Sequence, residues 1–183
     1  MIKTLKQHYI WIIFVAAVVA QLFFPISVIA EKNDVLENGV EFKIKTRPID
    51  PADPFRGRYV AIACEVNIPE SLKQPLGYWD NTSYIHLKTG KDGFAEVADI
   101  SNEPIAEKGV LKLDNVYIGD SNTLRLPFDR YYMKESAAPK AETAYLRNQG
   151  NTYITLRVKN GKGAISGLYI NDMPVEDYIK NME

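Results

Sequence analysis

Two carboxylates, Asp50 and Asp53, sit in the run RPIDPADPFRGR, Arg47 to Arg58, where both charge and proline recur every third residue. Pro48, Pro51 and Pro54 each fix φ near the polyproline II value, and that helix repeats every three residues. In such an arm Arg47, Asp50, Asp53 and Arg56 share one edge as a plus-minus-minus-plus stripe, with neighbours roughly 9 Å apart. A carboxylate pair at that distance approaches the acid–base spacing of inverting glycosidases, so a hydrolase using Asp50 and Asp53 is one reading. It is too wide for a shared metal. A second reading pairs the aspartates with Arg47, Arg56 or Arg58 within the domain, where each exposed pair is worth about 0–1 kcal/mol. A third makes Arg47, Asp50, Asp53, Arg56 and Arg58 a contact stripe for another protein.

Other reactive residue types are few. Cys64 is the only cysteine, so no intrachain disulfide can form. It alternates with Val60 and Ile62 in an apolar run, which is the setting of a small buried hydrophobe rather than of a reactive thiol. The two histidines, His8 and His86, lie far apart in the sequence. His86 alternates with Ile85 and Leu87 and shares a polar face with Tyr84 and Lys88. One Cys and one His in the domain do not compose a usual zinc ligand set. There is no Gly-x-Ser-x-Gly elbow and no Gly-rich phosphate loop. No catalytic residue, metal or cofactor is therefore expected.

Charge and hydropathy set the frame for these residues. The chain has 183 residues, with 22 basic and 23 acidic side chains and 46% hydrophobic content. That is one domain with an appendage, and the near-zero net charge argues against a nucleic-acid binder. Residues 1–30 contain Lys3 and Lys6 and no acid. The charge-free run from Tyr9 to Ala30 would span about 33 Å as a helix, enough for a bilayer core of roughly 30 Å. With Lys3 and Lys6 before it and Glu31 and Asp34 after it, residues 1–8 read as a cytoplasmic flank, 9–30 as an uncleaved anchor and 40–183 as an extracytoplasmic domain. A cleaved signal peptide is the rival, with Val28 and Ala30 at the cleavage positions. Residues 31–39, ending in Asn38-Gly39, read as a polar linker.

Within the domain, period-two alternation marks strands. Val40, Phe42 and Ile44 alternate with Glu41, Lys43 and Lys45. Tyr59 to Val66 is apolar on both faces, which predicts a central strand. A briefly helical or irregular segment lies between Pro69 and Pro75. Ser83 to Thr89 and Phe94 to Asp99 form a hairpin across Gly90-Lys91-Asp92-Gly93. Thr152 to Lys159 and Ala164 to Ile170 form another across Asn160-Gly161-Lys162-Gly163. Val110 to Ile118 and Thr123 to Leu126 add short strands. The helix candidate is Ser136 to Gln149, with Ser136 as its cap, Pro139 in the first turn and Gly150 past the end. Ala141, Ala144, Tyr145 and Asn148 line its inner face. Tyr131 and Tyr132 face opposite ways in a strand, one inward and one outward. The expected fold is mainly β (α+β): an N-terminal transmembrane helix, then a β-rich barrel or sandwich with one packed helix near 136–149.

The stretch Gly57 to Cys64, GRYVAIAC, resembles the signature of the GDYXXLXY protein family, Gly-Asp-Tyr-x-x-Leu-x-Tyr. Gly57 and Tyr59 match, Ile62 stands for the Leu, Arg58 replaces the Asp and Cys64 the final Tyr. The preceding proline arm and the later LRLPFDRYYM, Leu124 to Met133, are similar to the family as well, over about Val40 to Ile170. The resemblance implies a bacterial envelope setting and an architecture, with no known reaction, and a multi-pass membrane protein as partner. The expected function is thus a membrane-anchored accessory domain that binds another membrane or envelope protein. The alternatives are the carboxylate hydrolase or a small-ligand-binding barrel.

Overall fold

A computed structural model describes residues 2–48, 59–72, 77–79, 82–104, 107–114, 116–118 and 123–182. The first helix, α1, runs from Ile2 to Asn38 without a break, with Pro25 inside it. It is long and apolar enough to cross a membrane, and none of its apolar window is covered by the rest of the chain. Ile12, Phe14, Phe23, Phe24 and Ile26 are all exposed. The expected linker at 31–39 is instead the continuation of this helix, which packs on the domain. Val35 is 4% exposed. Gly39 ends the helix with its N–H donating to the Val35 carbonyl at 2.9 Å. A Cβ on Gly39 would stand 2.4 Å from that carbonyl oxygen, so only glycine permits this close turn.

After Gly39 the chain alternates as predicted. Strand β1, Val40–Pro48, buries Phe42, Ile44 and Thr46 and turns Lys43, Lys45 and Arg47 outward. Strand β2, Tyr59–Asn67, buries Val60, Ile62, Cys64 and Val66 on one face and Ala63 on the other. A single 3-10 turn, Glu70–Leu72, follows in the segment expected to be briefly helical. Then come β3 (Gly77–Trp79), β4 (Ser83–Thr89), β5 (Ala95–Ser101), β6 (Val110–Leu113), β7 (Val116–Ile118), β8 (Thr123–Leu126) and β9 (Arg130–Tyr132). Helix α2, Ala138–Arg147, precedes β10 (Thr152–Lys159), β11 (Lys162–Ile170), β12 (Met173–Pro174) and a short α3 (Val175–Lys180).

The strands form one mixed sheet in the order β12-β11-β10-β1-β2-β5-β4-β6, with β3, β7, β8 and β9 branching from it. The sheet is not closed into a barrel. Its hub is β2, which pairs with β1, β5, β8 and β9 along different parts of its length. This is the central position that its two apolar faces predict. The sheet folds around a single core that includes Ile44, Ile62, Ile85, Leu124, Ile154 and Leu168. Helix α2 lays Ala141, Ala144 and Tyr145 on that core, as its apolar face predicts. Its cap differs from expectation: Ala137, not Ser136, is the N-cap, with no side-chain hydrogen bond. Helix α3 and strands β3 and β12 have no counterpart in the sequence reading, whereas β9 contains the strand expected at Tyr131 and Tyr132.

The second hairpin also corrects a boundary. The expected four-residue connection is a two-residue turn, Asn160-Gly161, both with positive φ (51° and 79°), while Lys162 and Gly163 already belong to β11. Two successive left-handed residues match the twist of the flanking strands, and Asn-Gly is the sequence best suited to them.

The inner face of β2 dictates a stability test. Ile62→Ala removes three carbons at a fully buried position and should destabilise the domain by about 2–5 kcal/mol, read as a lowered denaturant midpoint with an unchanged slope. A loss below half a kcal/mol would show that β2 is not the hub of the core.

Candidate functional site

Of the residues singled out in the charged arm, Arg47 alone lies among the described residues. Asp50, Asp53, Arg56, Gly57 and Arg58 lie outside them; of the polyproline arm expected from Arg47 to Arg56, the two described residues, Arg47 and Pro48, are instead the end of β1, paired with Ala63 and Ile62. Arg47 closes β1 and forms an ion pair with Glu65 on the neighbouring β2. The strand register explains the pairing. Arg47 stands opposite Ala63, so Glu65 is its diagonal neighbour on the same outer face.

Arg47 is the last of three cations, Lys43, Lys45 and Arg47, that period-two alternation places on the outer face of β1. Each is matched by a partner from a different element. Lys45 pairs with Asp92 of the β4–β5 turn at 2.8 Å and lies 4.7 Å from the centre of the Phe94 ring. Lys43 lies 5.0 Å from the centre of the Tyr153 ring. Tyr153 in turn stacks on Tyr169 at 4.9 Å, nearly parallel, and meets Phe94 edge-on at 5.7 Å. Its hydroxyl donates to Asp172 at 3.0 Å. Burial, and then that bond, push the Tyr153 phenol up to about 12. The Lys45 ammonium and the Phe94 N–H hold the Asp92 carboxyl below its ordinary value.

A cleft of about 300 Å³ opens beside these groups, between Lys45, Arg47, Glu65, Asn67 and Phe94. It adjoins a second, of about 410 Å³, that reaches Asn151, Tyr153 and Asp172. Thr46 and Thr152 line the first, and their hydroxyls hydrogen-bond at 3.1 Å. The fully buried Tyr145 lies beside them. Its hydroxyl makes no hydrogen bond of ordinary geometry. Burial pushes that phenol up to about 12, against the opposing effect of the two threonine hydroxyls. This face offers hydrogen bonds, fixed charge and ring surface. Among the described residues it does not join a nucleophile to a base.

The far side of the arm meets a different group. Tyr59, the first residue of β2, packs against Tyr132 of β9 with ring centres 6.0 Å apart, and the Arg130 guanidinium lies 5.1 Å from the Tyr59 ring. Tyr132 is 68% exposed. Its neighbour Tyr131 points the other way and donates to Glu176 at 2.6 Å, as the alternation of a strand requires. Burial first, and the Glu176 carboxylate second, raise the Tyr131 phenol well above its usual value.

The outer-face cluster was missed at the sequence level, although its signal was present. Lys43, Lys45 and Arg47 alternate along one strand, and Tyr153 and Tyr169 lie in two strands already expected to pair. What no local pattern shows is that Asp92-Gly93-Phe94 folds onto them from another hairpin. His86 takes its expected place on β4, with Nδ1 3.8 Å from Glu107, while its Nε2 is buried without a hydrogen bond. Among the described residues no group of three or more His, Cys, Asp or Glu could hold a metal ion.

Cys64 is fully buried within the core beside Val60 and Ile62. Burial, and then the charge of Asp129, push its thiol up to about 12. It therefore remains a neutral thiol at physiological pH. Alkylation of the native protein should be negligible at pH 7 and become rapid only once the domain is unfolded. Prompt labelling without unfolding would contradict this burial.

No curated protein and no solved structure matches the chain. A family model described as GDYXXLXY protein matches residues 21–168, from the apolar part of α1 through most of β11. The match covers the second half of α1, the arm, the β2 hub and most of the last hairpin together, and the chain belongs to the GDYXXLXY family.

Proposed function

We propose that this chain is a membrane-anchored, extracytoplasmic accessory domain of the bacterial envelope that binds a multi-pass membrane protein and carries out no chemistry itself. One observation supports the reading above the rest: the apolar helix and the domain are continuous. The helix leaves its charge-free run at Ala30, and its next two turns are fastened to β10 and β11. Glu31 pairs with Lys162, and Asp34 holds Lys159 at 2.7 Å through both carboxylate oxygens. The Arg157 guanidinium donates to the Glu37 carbonyl at 3.4 Å and to the Glu41 carboxylate at 3.0 Å. A domain so joined to its anchor keeps a fixed height and orientation over the bilayer. That arrangement suits a partner in the same membrane, because both are confined to one plane and the docking search is shortened. The flanking charges, Lys3 and Lys6 before the span and Glu31 and Asp34 after it, favour a cytoplasmic N-terminus.

The contact surface in this reading is the arm with its two described roots. Arg47 stands at one end and the Tyr59–Arg130–Tyr132 cluster at the other. Exposed tyrosine beside arginine is the composition from which interface anchors are most often built. The hydrolase reading turns on Asp50 and Asp53, and no described residue favours it.

Tagged full-length protein, cross-linked and extracted in mild detergent, tests the proposal. A multi-pass membrane protein should co-purify reproducibly. Arg130→Ala with Tyr132→Ala should reduce its recovery roughly tenfold or more, as loss of central anchors does, with little change in melting temperature. Undiminished recovery in this variant and in Asp50→Asn with Asp53→Asn would defeat the partner reading. Extraction of the intact chain by alkali would defeat the anchor.

A further inference from the structure

We propose that the end of the domain nearest the anchor is a docking surface for anionic phospholipid headgroups of the bilayer that holds α1. The surface consists of the β10–β11 turn, Lys32 and Lys112. The inference rests on the anchored reading and adds a second, separate contact with the membrane.

Geometry fixes the level of the turn. The charge-free run of α1 ends at Ala30, so Glu31 is the first residue that must stand at the polar boundary. Lys162 pairs with Glu31, and Lys159 pairs with Asp34 one helical turn further out. Lys159 and Lys162 stand opposite each other at the base of the turn, and Arg157, two residues earlier in β10, meets the Glu37 carbonyl, so following α1 from Glu37 to Asp34 means following β10 from Arg157 toward the turn. The tip, Asn160-Gly161, lies alongside the first helical turn outside the hydrocarbon, which is the depth of lipid headgroups.

The tip does not stand alone. Strand β6 is latched to it: the Lys112 N–H donates to the Gly161 carbonyl at 2.8 Å, and the Gly161 N–H donates to the Val110 carbonyl at 3.2 Å. A Cβ on Gly161 would lie 3.1 Å from the Lys112 Cβ, which places the Lys112 side chain beside the turn. Four cations thus gather at this end: Lys32, Lys112, Lys159 and Lys162. Two carboxylates, Glu31 and Asp34, engage Lys159 and Lys162. Lys32 and Lys112 are exposed and have no carboxylate partner among the described residues. The excess of positive charge sits on the two flexible side chains that can reach toward the lipid. A lysine stem lies along apolar surface while its ammonium seeks phosphate. Basic residues immediately outside a span are attracted to anionic lipid within about one Debye length, roughly 8–10 Å. The helix fixes the domain at one point, and headgroup contact at the turn supplies the second point needed to set its tilt.

The test uses full-length protein in nanodiscs containing phosphatidylcholine mixed with phosphatidylglycerol. Lipids that remain bound after gentle detergent transfer are identified by mass spectrometry. The native chain should retain phosphatidylglycerol in excess over the bulk mixture. Lys32→Gln with Lys112→Gln should lower that preference by roughly fivefold for each lysine removed, while the melting temperature holds. Lys3 and Lys6 are present in both proteins, so any lipid they hold cancels in the comparison. Lys112→Glu alone should lower the preference more than Lys112→Gln. Equal retention by the native and double-substituted chains would overturn the proposal, and so would retention that ignores headgroup charge. Loss of partner recovery in the double variant with lipid preference intact would assign these lysines to the protein partner instead. A chain that fails to enter nanodiscs at all would remove the anchored reading itself, an outcome distinct from a chain that inserts but shows no lipid preference.

Discussion

Strand β2 must satisfy backbone groups on both edges while burying side chains on both faces, and most of the domain is arranged to let it do so. Val60, Ile62, Cys64 and Val66 face the core, and an unpaired amide in that setting would cost as much as a lost hydrogen bond. The chain meets this demand piecemeal. The first three residues pair with β9, the middle with the end of β1, and the last four with β8, with a single parallel contact to β5 at Asn67. Where the β9 ladder ends, the Ile62 N–H donates to the Asp129 carbonyl at 3.0 Å. Because four partners share one strand, the sheet bends around β2 and does not close. The family signature falls on this strand. Tyr59 begins it, Ile62 fills the core, and Cys64 occupies the final aromatic position as a smaller apolar group. Of the motif positions among the described residues, Ile62 and Cys64 serve packing.

The junction of helix and domain rests on packing more than on charge. Lys162 and Glu31 are each about half exposed, and pairs of that kind contribute little because water screens them. The Lys159–Asp34 pair is better shielded, with the lysine side chain 28% exposed, and it is bidentate. Val35 supplies the apolar part. Burying a valine side chain is worth roughly 1.5–3 kcal/mol, more than the exposed pair can add. Gly39 then holds the register, since any side chain there would collide with the Val35 carbonyl. The ion pairs choose which way round the helix docks, and the valine and glycine keep it there.

Much of this was legible from period and spacing. Alternation located β1, β2, β4, β5, β10 and β11, and the 3.6-residue spacing of Ala141, Ala144 and Tyr145 found the buried face of α2. Strands β3 and β12 have three residues or fewer, too short for alternation to register, and their pairing is decided by what lies opposite, while β9, equally short, is foreshadowed only by the opposed faces of Tyr131 and Tyr132. The polar stretch at 31–39 reads as a linker because it ends in the turn signal Asn38-Gly39 and its charges have no local use. They gain one only when Lys159 and Lys162 arrive from the far end of the chain. Gly163 misled for a related reason. It reads as a turn glycine, but it is a strand residue whose missing side chain makes room for Phe128, whose ring would lie 2.5 Å from a Cβ. Gly167 likewise lies under the Tyr169 ring, at 2.9 Å from where its Cβ would be. A glycine marks close approach as readily as a turn, and the sequence alone does not distinguish the two. The candidate site was half legible: Arg47 and the arm stood out, whereas the carboxylate that engages Arg47 comes from β2 and the rings beside Lys43 and Lys45 come from β10, β11 and the β4–β5 turn.

The two ends of β1 keep the proposed contacts apart. Its first residue follows the helix junction and its last leads into the arm, and nine extended residues cover at most about 30 Å. In the anchored reading, Lys32 and Lys112 beside the β10–β11 turn therefore work at headgroup depth, while Arg47 and the Tyr59–Arg130–Tyr132 cluster stand well clear of the lipid. A partner that meets the arm must itself project from the bilayer by a comparable distance. A protein consisting of spans and short loops would not reach it. Contact through the exposed face of α1 and contact through the arm are then separable parts of one interface. The first is available to any helix of the same membrane, and the second only to a partner tall enough to meet it. Under the proposed function, selectivity among membrane proteins would follow from that difference in height, and a domain held to its helix as this one is would make height a fixed quantity.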